Sequence, residues 1–431
     1  MKKARTVMFH TQGCRLNQSE TASLSQSFLA AGYGLSGPQD TADVVVINTC
    51  TVTENGDADT RRLVQRIAKE KPHARIALIG CQAQIQKDAL IALPNVKWVV
   101  GNDQKMQLAE LIDQTSSSSE PVVIVNKLTR EVFTIPTTPV DRRFTRATIK
   151  IQDGCDFYCA FCVIPFARGP ARSREFEDIL TESQQLAALD YKEIVVTGIN
   201  LGTYENNGKR LEDVLAALSE LPGITRVRIS SIEPTTISPE VVDKVVDADS
   251  PVCPYFHLPL QSGSDDILKA MNRHYTAWDY AAFVRDIAAR APEVAIGTDV
   301  IVGFPGETDA HFSDTEAFLE SLPLAYFHVF SYSDRQYARS RKWLDKVRPE
   351  VIAVRSLRLR QLSMKKRHAF MERFLDTTQA VLFEQVKRGI WPGYTDHYIR
   401  VKVRSDRSLA NRQLPVKLVA IENDYMIGEL A

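Results

Sequence analysis

Short apolar runs alternate with helix-length amphipathic stretches along most of the chain. In the first 113 residues the runs are Val7-Met8-Phe9, Val44-Val45-Val46-Ile47, Ile76-Ala77-Leu78-Ile79 and Trp98-Val99-Val100. Segments 17–31, 57–71 and 103–113 lie between and after them with helical periodicity. Strand–helix alternation of this kind predicts an open parallel sheet with helices on both faces. Thr115 to Glu120 is a serine run, which reads as a linker or loop, and 121–143 reads as extended, with three prolines.

A second alternating region spans 144–372. Its strands are expected at 147–151, 193–197, 226–230, 255–260, 296–302 and 325–331. Helices are expected at 175–189, 211–220, 238–247, 277–290 and 309–321. Six strand–helix units suit an incomplete (β/α)6 barrel better than two small sheets. Beyond residue 373 the character changes. Ala-Val-Leu-Phe-Glu, Tyr-Ile-Arg-Val-Lys-Val and Pro-Val-Lys-Leu-Val-Ala-Ile follow one another closely, with Gly, Asn and Asp between them. That spacing predicts a small antiparallel β module. The fold class is therefore α/β, with expected divisions at 1–113, a linker 114–143, 144–372 and 373–431.

Composition narrows the class without choosing a function. The 431 residues are 44% hydrophobic and 25% charged, as in ordinary globular proteins, and the length asks for more than one domain. Fifty-three basic residues balance fifty-three acidic ones, so only local clustering of charge bears on nucleic-acid binding. The start, MKKARTVMFHTQGC, has no apolar core of a signal peptide, and no run approaches the ~18 apolar residues of a membrane helix. A cytoplasmic protein that does not engage a membrane is expected. Its seven cysteines are then unlikely material for disulfides, and an odd count fits such a framework poorly.

Six of those cysteines form two groups of three. Cys155, Cys159 and Cys162 make a C-x3-C-x2-C loop just past a predicted strand. Three thiolates on one loop can hold three irons of a cubane cluster and leave the fourth without a protein ligand. A zinc site would want a fourth nitrogen or sulfur, which the loop does not supply, and a thioredoxin-like pair would want only C-x2-C. Cys14, Cys50 and Cys81 each lie just past the end of a predicted parallel strand, roughly one strand–helix unit apart. Loops at that edge of an open α/β sheet converge on one crevice, so the three thiols are expected to meet. Cys253 has no such partner and reads as packing.

The cysteine loop resembles that of the radical S-adenosylmethionine superfamily. The resemblance implies that Cys155, Cys159 and Cys162 bind a [4Fe–4S] cluster whose open iron chelates S-adenosyl-L-methionine, cleaved by one electron to a 5′-deoxyadenosyl radical. Three later segments are similar to that superfamily's cofactor-binding segments: Val196-Thr197-Gly198-Ile199-Asn200, Arg228-Ile229-Ser230-Ser231-Ile232-Glu233-Pro234, and Thr298 through Gly306. They imply Thr197, Gly198, Asn200, Ser231, Glu233, Gly303 and Pro305 as cofactor contacts. Gly198 and Gly303 would admit close approach of a flat ligand, and Ser231 or Glu233 would meet the ribose.

Both triads in this order, followed by a β module, resemble the methylthiotransferase family over essentially the whole chain. His257-Leu258-Pro259-Leu260-Gln261-Ser262-Gly263-Ser264 also matches it and adds Gln261 to the implied contacts. The resemblance implies a second, auxiliary [4Fe–4S] cluster on Cys14, Cys50 and Cys81 and an RNA-binding TRAM barrel at 373–431. It implies a monomer that uses an external one-electron donor. Segments 46–53, 150–155 and 166–174 are most similar to the branch that acts on N6-threonylcarbamoyladenosine beside the anticodon of tRNA. The implied partner is a tRNA anticodon stem–loop and the implied product carries a methylthio group at C2. Segment 335–341 departs from the family, where a Pro-Gly-Thr-like or Asn-Thr-Lys-like stretch is expected.

Charge adds a candidate RNA surface. Residues 335–373 hold thirteen Lys and Arg against Asp345, Glu350 and Glu372, enough to neutralise several phosphates. Lys365, Lys366 and Arg367 are the expected phosphate contacts, and Tyr394, His397 and Tyr398 the expected stacking or packing residues of the last module. Arg168, Arg172 and Arg174 follow the cysteine loop and are expected to meet the carboxylate of a threonylcarbamoyl group, since an arginine fork suits a carboxylate. Competing readings are methylthiolation of isopentenyladenosine in tRNA, methylthiolation of a ribosomal-protein aspartate, and an RNA-binding protein with structural clusters.

Overall fold

The computed structural model describes residues 5–135 and 144–431. The last part of the extended stretch read from the sequence, 136–143, lies outside them. The chain forms two compact units. The first takes in the N-terminal part of the chain, Gln152–Asp178 and Ser333–Arg341; the second holds Ile179–Tyr332, Lys342–Ala431 and the strand Arg146–Lys150.

The first unit is built on a parallel sheet. Its strands are β1 (Thr6–Thr11), β2 (Gly34–Leu35), β3 (Val44–Thr49), β4 (Arg75–Gly80), β5 (Val96–Val100) and β6 (Val122–Ile124), in the order β2-β1-β3-β4-β5-β6. The uninterrupted apolar runs are explained by burial on both faces, because alternate residues of one strand point to opposite sides. Val44, Val46, Ala77, Ile79, Trp98 and Val100 pack with Leu24 and Phe28 of α1 (Arg15–Ala30) and with Leu108 and Ile112 of the helix Leu108–Thr115. Val45, Ile47, Ile76, Leu78 and Val99 pack on the other side with Val64 and Ile67 of α2 (Glu54–Glu70). The expected linker is partly sheet: Val122–Ile124 pairs in parallel with Trp98–Val100. The serine run before it forms the turn that leads the chain back.

In the second unit six parallel strands follow the predicted order: Arg146–Lys150, Glu193–Thr197, Arg226–Ile229, Tyr255–His257, Ala295–Val302 and Tyr326–Ser331. They pair as two three-stranded sets, Arg226–Ile229 and Arg146–Lys150 on either side of Glu193–Thr197, and Tyr255–His257 and Tyr326–Ser331 on either side of Ala295–Val302. Bridges between Val227 and Val252 and between Ser231 and His257 join the sets. Among the described residues no pairing links the first strand to the sixth, so the barrel is incomplete. The basic run after the sixth strand is mostly one long helix, Pro349–Glu372. Its apolar positions are spread around the helix and form no single stripe, so the sequence carries no amphipathic period there.

The C-terminal module is a closed five-stranded barrel of Thr378–Phe383, Ile390–Tyr394, Arg400–Arg404, Gln413–Glu422 and Tyr425–Leu430. It is not wholly antiparallel: Arg400–Arg404 and Tyr425–Leu430 pair in parallel, and this pair closes the barrel. Its core, with Val381, Phe383, Val401, Val403, Val416, Leu418 and Met426, also includes Cys253. Cys253 is therefore packing, and burial pushes its thiol up to about 12.

Candidate iron–sulfur centres

Each cysteine of the first triad is delivered by a strand end of the same sheet. Cys14 caps the N-terminus of α1 after β1, Cys50 follows β3, and Cys81 opens the short helix Cys81–Ile85 after β4. Two glycines let these turns close on one another. Gly13 sits at φ +87°, and a Cβ there would lie 2.6 Å from Cys50 Cβ and 2.7 Å from its Sγ. Gly80, at φ +92°, would bring a Cβ to 2.4 Å from Asn48 Oδ1 and 2.8 Å from the Thr49 carbonyl.

The three thiols feel one another. Burial pushes the Cys50 thiol up to about 11, a backbone N–H from Val52 opposes this, and Cys81 and Cys14 raise it further. Cys81 is likewise raised by burial, against the pull of the Arg168 and Lys105 cations, with Cys14 adding to the rise. Three thiols gathered beside two buried cations, Arg168 and Lys105, form a donor set that a soft, cationic group would hold as thiolates. The residues present thus fit a cluster.

The second triad is local. Gln152–Asp153 pairs antiparallel with Arg172–Ser173, and this hairpin carries the cysteine loop. Gly154, at φ +71°, passes so close to the returning chain that a Cβ would lie 1.9 Å from the Pro170 carbonyl. The Cys155 N–H donates to the Gly169 carbonyl (3.1 Å), the Cys162 N–H to the Cys159 carbonyl (2.9 Å), and the Ile164 N–H approaches Cys162 Sγ at 3.4 Å. All three cysteines are partly exposed and none is in a disulfide. A half-open set of three thiols fits a cluster that leaves one metal for an external ligand.

Both triads lie in the first unit, and Arg168 ties their supports together. It ends the helix Ile164–Arg168 that follows the cysteine loop. Its Nη1 donates to Glu20 Oε1 (3.0 Å) and Asp153 Oδ1 (3.0 Å), and its Nη2 to Asn17 Oδ1 (2.7 Å) and Glu20 Oε2 (3.2 Å). Lys105 Nζ lies 2.5 Å from Glu20 Oε2 and donates to Asn102 Oδ1, and Asn102 Nδ2 donates to the Ala167 carbonyl. Two cations and two carboxylates thus share one buried network, which is the condition for keeping charge out of water. Cys81, Ile85, Val163 and Ala167 form an apolar contact beside it.

This changes the reading of the three arginines. Arg168 is 1% exposed with both terminal nitrogens engaged, so it is structural and not a substrate contact. Arg174 is equally buried and its Nε donates to Asp178 at 2.6 Å. Arg172 pairs with Asp153 and lies over the Phe133 ring. Glu20 and Lys105 were invisible in the sequence because each lies in an ordinary helical pattern.

The cofactor segments lie in the second unit, at the C-terminal ends of its parallel strands. Thr197, Gly198 and Asn200 follow Glu193–Thr197, Ser231 and Glu233 follow Arg226–Ile229, Gln261 follows Tyr255–His257, and Gly303 and Pro305 follow Ala295–Val302. Three expectations need revision. Glu233 is held by Arg273, whose Nη2 is 2.7 Å from both of its oxygens, so the carboxylate is already engaged. Asn200 Oδ1 accepts from Thr236 Oγ1. Gly303 owes its small size to packing, because a Cβ would lie 2.3 Å from Ile352 Cγ1. Gln261 adopts φ +76° while its backbone bonds Asp299 and Ile301 on the next strand. Sequence reasoning passed over Asp299 and His328: His257 Nε2 lies 2.9 Å from Asp299 Oδ1, and burial lowers the pKa of neighbouring His328.

The expected phosphate contacts are only partly available. Lys366 Nζ donates to the carbonyls of Glu320 and Leu322, capping the end of the helix Asp309–Ser321. The Arg367 guanidinium lies 5.0 Å from the centre of the Tyr326 ring. Lys365 is exposed beside Glu320. The expected stacking residues of the last module are packed as well. Tyr394 stacks on Tyr398 at 4.9 Å, with Arg146 over Tyr394 and Arg228 over Tyr398, and His397 meets Phe374.

Comparison with known proteins agrees with this architecture. Residues 149–319 match the radical SAM superfamily, and residues 6–101 match a family described as uncharacterized protein family UPF0004. The threonylcarbamoyladenosine tRNA methylthiotransferase MtaB of Bacillus subtilis is 36% identical over 98% of this chain and 96% of its own length. A tRNA-2-methylthio-N(6)-dimethylallyladenosine synthase of Cereibacter sphaeroides is 30% identical over 100% and 99%. Among solved structures, the radical S-adenosylmethionine methyltransferase TsrM of Kitasatospora setae shares the fold, with a TM-score of 0.56, 15% identity and coverage of 79% and 77% of the two chains. The fold implies a [4Fe–4S] cluster and S-adenosylmethionine as cofactors. No helix among the described residues is long and apolar enough to cross a membrane. The chain belongs to the methylthiotransferase family of radical S-adenosylmethionine enzymes.

Proposed function

We propose that the protein adds a methylthio group to C2 of N6-threonylcarbamoyladenosine next to the anticodon of tRNA, using a cluster on each cysteine triad and an external one-electron donor. The observation that carries this reading is the pairing of two three-cysteine donor sets in one unit, each with its own shaping glycine and both braced by Arg168. A cluster on Cys155, Cys159 and Cys162 supplies reductive cleavage of S-adenosylmethionine, and one on Cys14, Cys50 and Cys81 supplies a site for sulfur. The chain's own residues do the positioning. Gly154 allows the half-open loop to return on itself, Gly169 makes room for Leu128, and the Ile164 N–H approaches Cys162 sulfur at 3.4 Å. Arg168 and Lys105 place positive charge against Cys81, which lowers the cost of a buried thiolate.

The relatives named for the threonylcarbamoyl substrate are 32–37% identical, and those named for the dimethylallyl substrate 30–33%. One observation favours the second substrate: the arginines expected to receive a threonylcarbamoyl carboxylate are committed to Glu20, Asp153 and Asp178. Mass spectrometry of tRNA nucleosides decides between them. Cells lacking the protein should lose 2-methylthio-N6-threonylcarbamoyladenosine and accumulate its unthiolated precursor. Loss of the methylthio isopentenyl nucleoside instead assigns the enzyme to the other substrate.

A further inference from the structure

Three aromatic rings form a row at the surface of the first unit, with Phe166 between the other two. Tyr158 lies inside the cysteine loop, Phe166 in the helix that follows it, and Tyr337 in the segment 335–341 that departs from the family pattern. Tyr337 stacks on Phe166 with centroids 5.5 Å apart and planes at 29°, and Phe166 meets Tyr158 edge-on at 6.0 Å. Rings that associate in water ordinarily do so to leave it. These keep contact while remaining 49%, 42% and 54% exposed in the order Tyr158, Phe166, Tyr337.

The backbone holds two of them in place at a cost. Tyr158 has φ +49° and Tyr337 φ +71°. The left-handed region is a true outlier for a bulky side chain, so it persists only where the surroundings enforce it. At Tyr337 the enforcement is visible on both sides. Arg335, buried, donates to Thr51 Oγ1 (2.9 Å) and pairs with Asp57; the Ser340 N–H donates to the Ala160 carbonyl (2.9 Å). Neither anchor involves the Tyr337 ring, so they fix where the ring stands without needing it. The same segment lines a polar cleft of about 520 Å3 in which Arg61, Arg335 and Arg341 stand among Glu54, Asp57 and Asp334; Arg335 is paired with Asp57, and Arg61 and Arg341 are exposed.

We propose that Tyr158, Phe166 and Tyr337 form a stacking platform for unpaired nucleobases of the RNA substrate, with Arg61 and Arg341 drawing in the adjoining phosphates. This rests on the reading that the enzyme acts on tRNA. An unpaired base presents a flat π face that any of the three rings can cover, and such stacking tolerates different bases. Rigid aromatic groups held half out of the surface next to cationic side chains match a single-stranded loop, in which bases are unstacked and phosphates close by.

The test uses the full-length holoenzyme and an anticodon stem–loop with 2-aminopurine at a loop position flanking the target adenosine. Its fluorescence is quenched when it stacks. The wild type should bind and quench it. Tyr337→Leu and Phe166→Leu should each weaken binding by about tenfold and remove most of the quench, while Tyr337→Phe restores both. Iron content and visible absorbance, measured on every variant, show that the clusters and fold are intact. Undiminished affinity and quench in intact leucine variants overturn the platform, and are also the result if the patch serves a protein partner. A wild type that binds no stem–loop overturns the tRNA reading itself and the platform with it.

Discussion

Cys14, Cys50 and Cys81 are brought together by three separate strand ends, with Cys81 buried, Cys50 half-buried and Cys14 exposed, and burial raises the Cys50 and Cys81 thiols. Cys155, Cys159 and Cys162 share a single hairpin loop and stay partly open. The same number of sulfur donors is thus assembled in one case by the whole sheet and in the other by local chain geometry. Both sets keep a side open to an incoming ligand, at Cys14 in one and along the whole loop in the other, and each proposed role requires such a face. The difference in assembly means that the first triad depends on the integrity of the sheet, and the second mainly on its own turns.

The comparison breaks most sharply when one triad is removed. Changing Cys155, Cys159 and Cys162 together to Ala should abolish both cleavage of S-adenosylmethionine to 5′-deoxyadenosine and methylthio transfer. Changing Cys14, Cys50 and Cys81 to Ala should abolish only the transfer. Reconstituted wild type should hold about eight irons per chain, and either triple variant about four. Methylthio product from the second variant, or about four irons in the wild type, would show that the sheet-borne triad has no cluster role.

Arg168 tests what the two sites share. Replacing it with Met leaves Glu20 and Asp153 buried with half of their cationic partners gone, and breaking a buried network this way costs about 3–5 kcal/mol. The variant should unfold at markedly lower urea concentration and lose iron from both sites. Adding Glu20→Met and Lys105→Met to it should recover part of the stability, because the stranded carboxylate and the lysine paired with it are removed together. A single variant as stable as wild type would mean that the network is not closed as its distances indicate.

The parts of this arrangement that could be read from the sequence are those written in local pattern. The runs Val44–Ile47, Ile76–Ile79 and Trp98–Val100 of β3, β4 and β5 are apolar because both faces of the sheet are covered, and a cysteine follows each of β1, β3 and β4. The C-x3-C-x2-C loop needs only its own spacing. What could not be read depends on tertiary pairing. Arg168 looks like one more cation near a cluster until Glu20 appears beside it from a helix some 150 positions away. Val122–Ile124 is too short to announce itself as a strand and becomes one only through Trp98–Val100. Gly303 resembles a ligand-approach glycine, yet Ile352 from the unread helix occupies the space.

Single glycines separate the two routes of assembly more gently. Gly13→Ala forces a left-handed alanine against Cys50 and should cost about 1–3 kcal/mol, with iron lost selectively from the first triad. Gly154→Ala meets the Pro170 carbonyl instead and should disturb the second. Iron counts combined with S-adenosylmethionine cleavage distinguish the two losses. If both variants lose the same cluster, the sites are not independently built.

The smallest effect is expected from the basic helix, where charge in the sequence overstates charge available to RNA. Three neutralised phosphates would give a substantial salt dependence of binding, and losing them would flatten it by about three in slope. Lys366 is spent on two backbone carbonyls and Arg367 lies against Tyr326, which leaves Lys365 as the exposed charge of the three. Replacing Lys365, Lys366 and Arg367 with Ala should therefore reduce the slope of log Kd against log salt for tRNA by about one at most. Some loss of thermal stability should accompany it, because the helix Asp309–Ser321 loses its lysine cap. A fall in slope of about three, with stability unchanged, would show that Lys366 and Arg367 leave these partners for phosphate when tRNA binds.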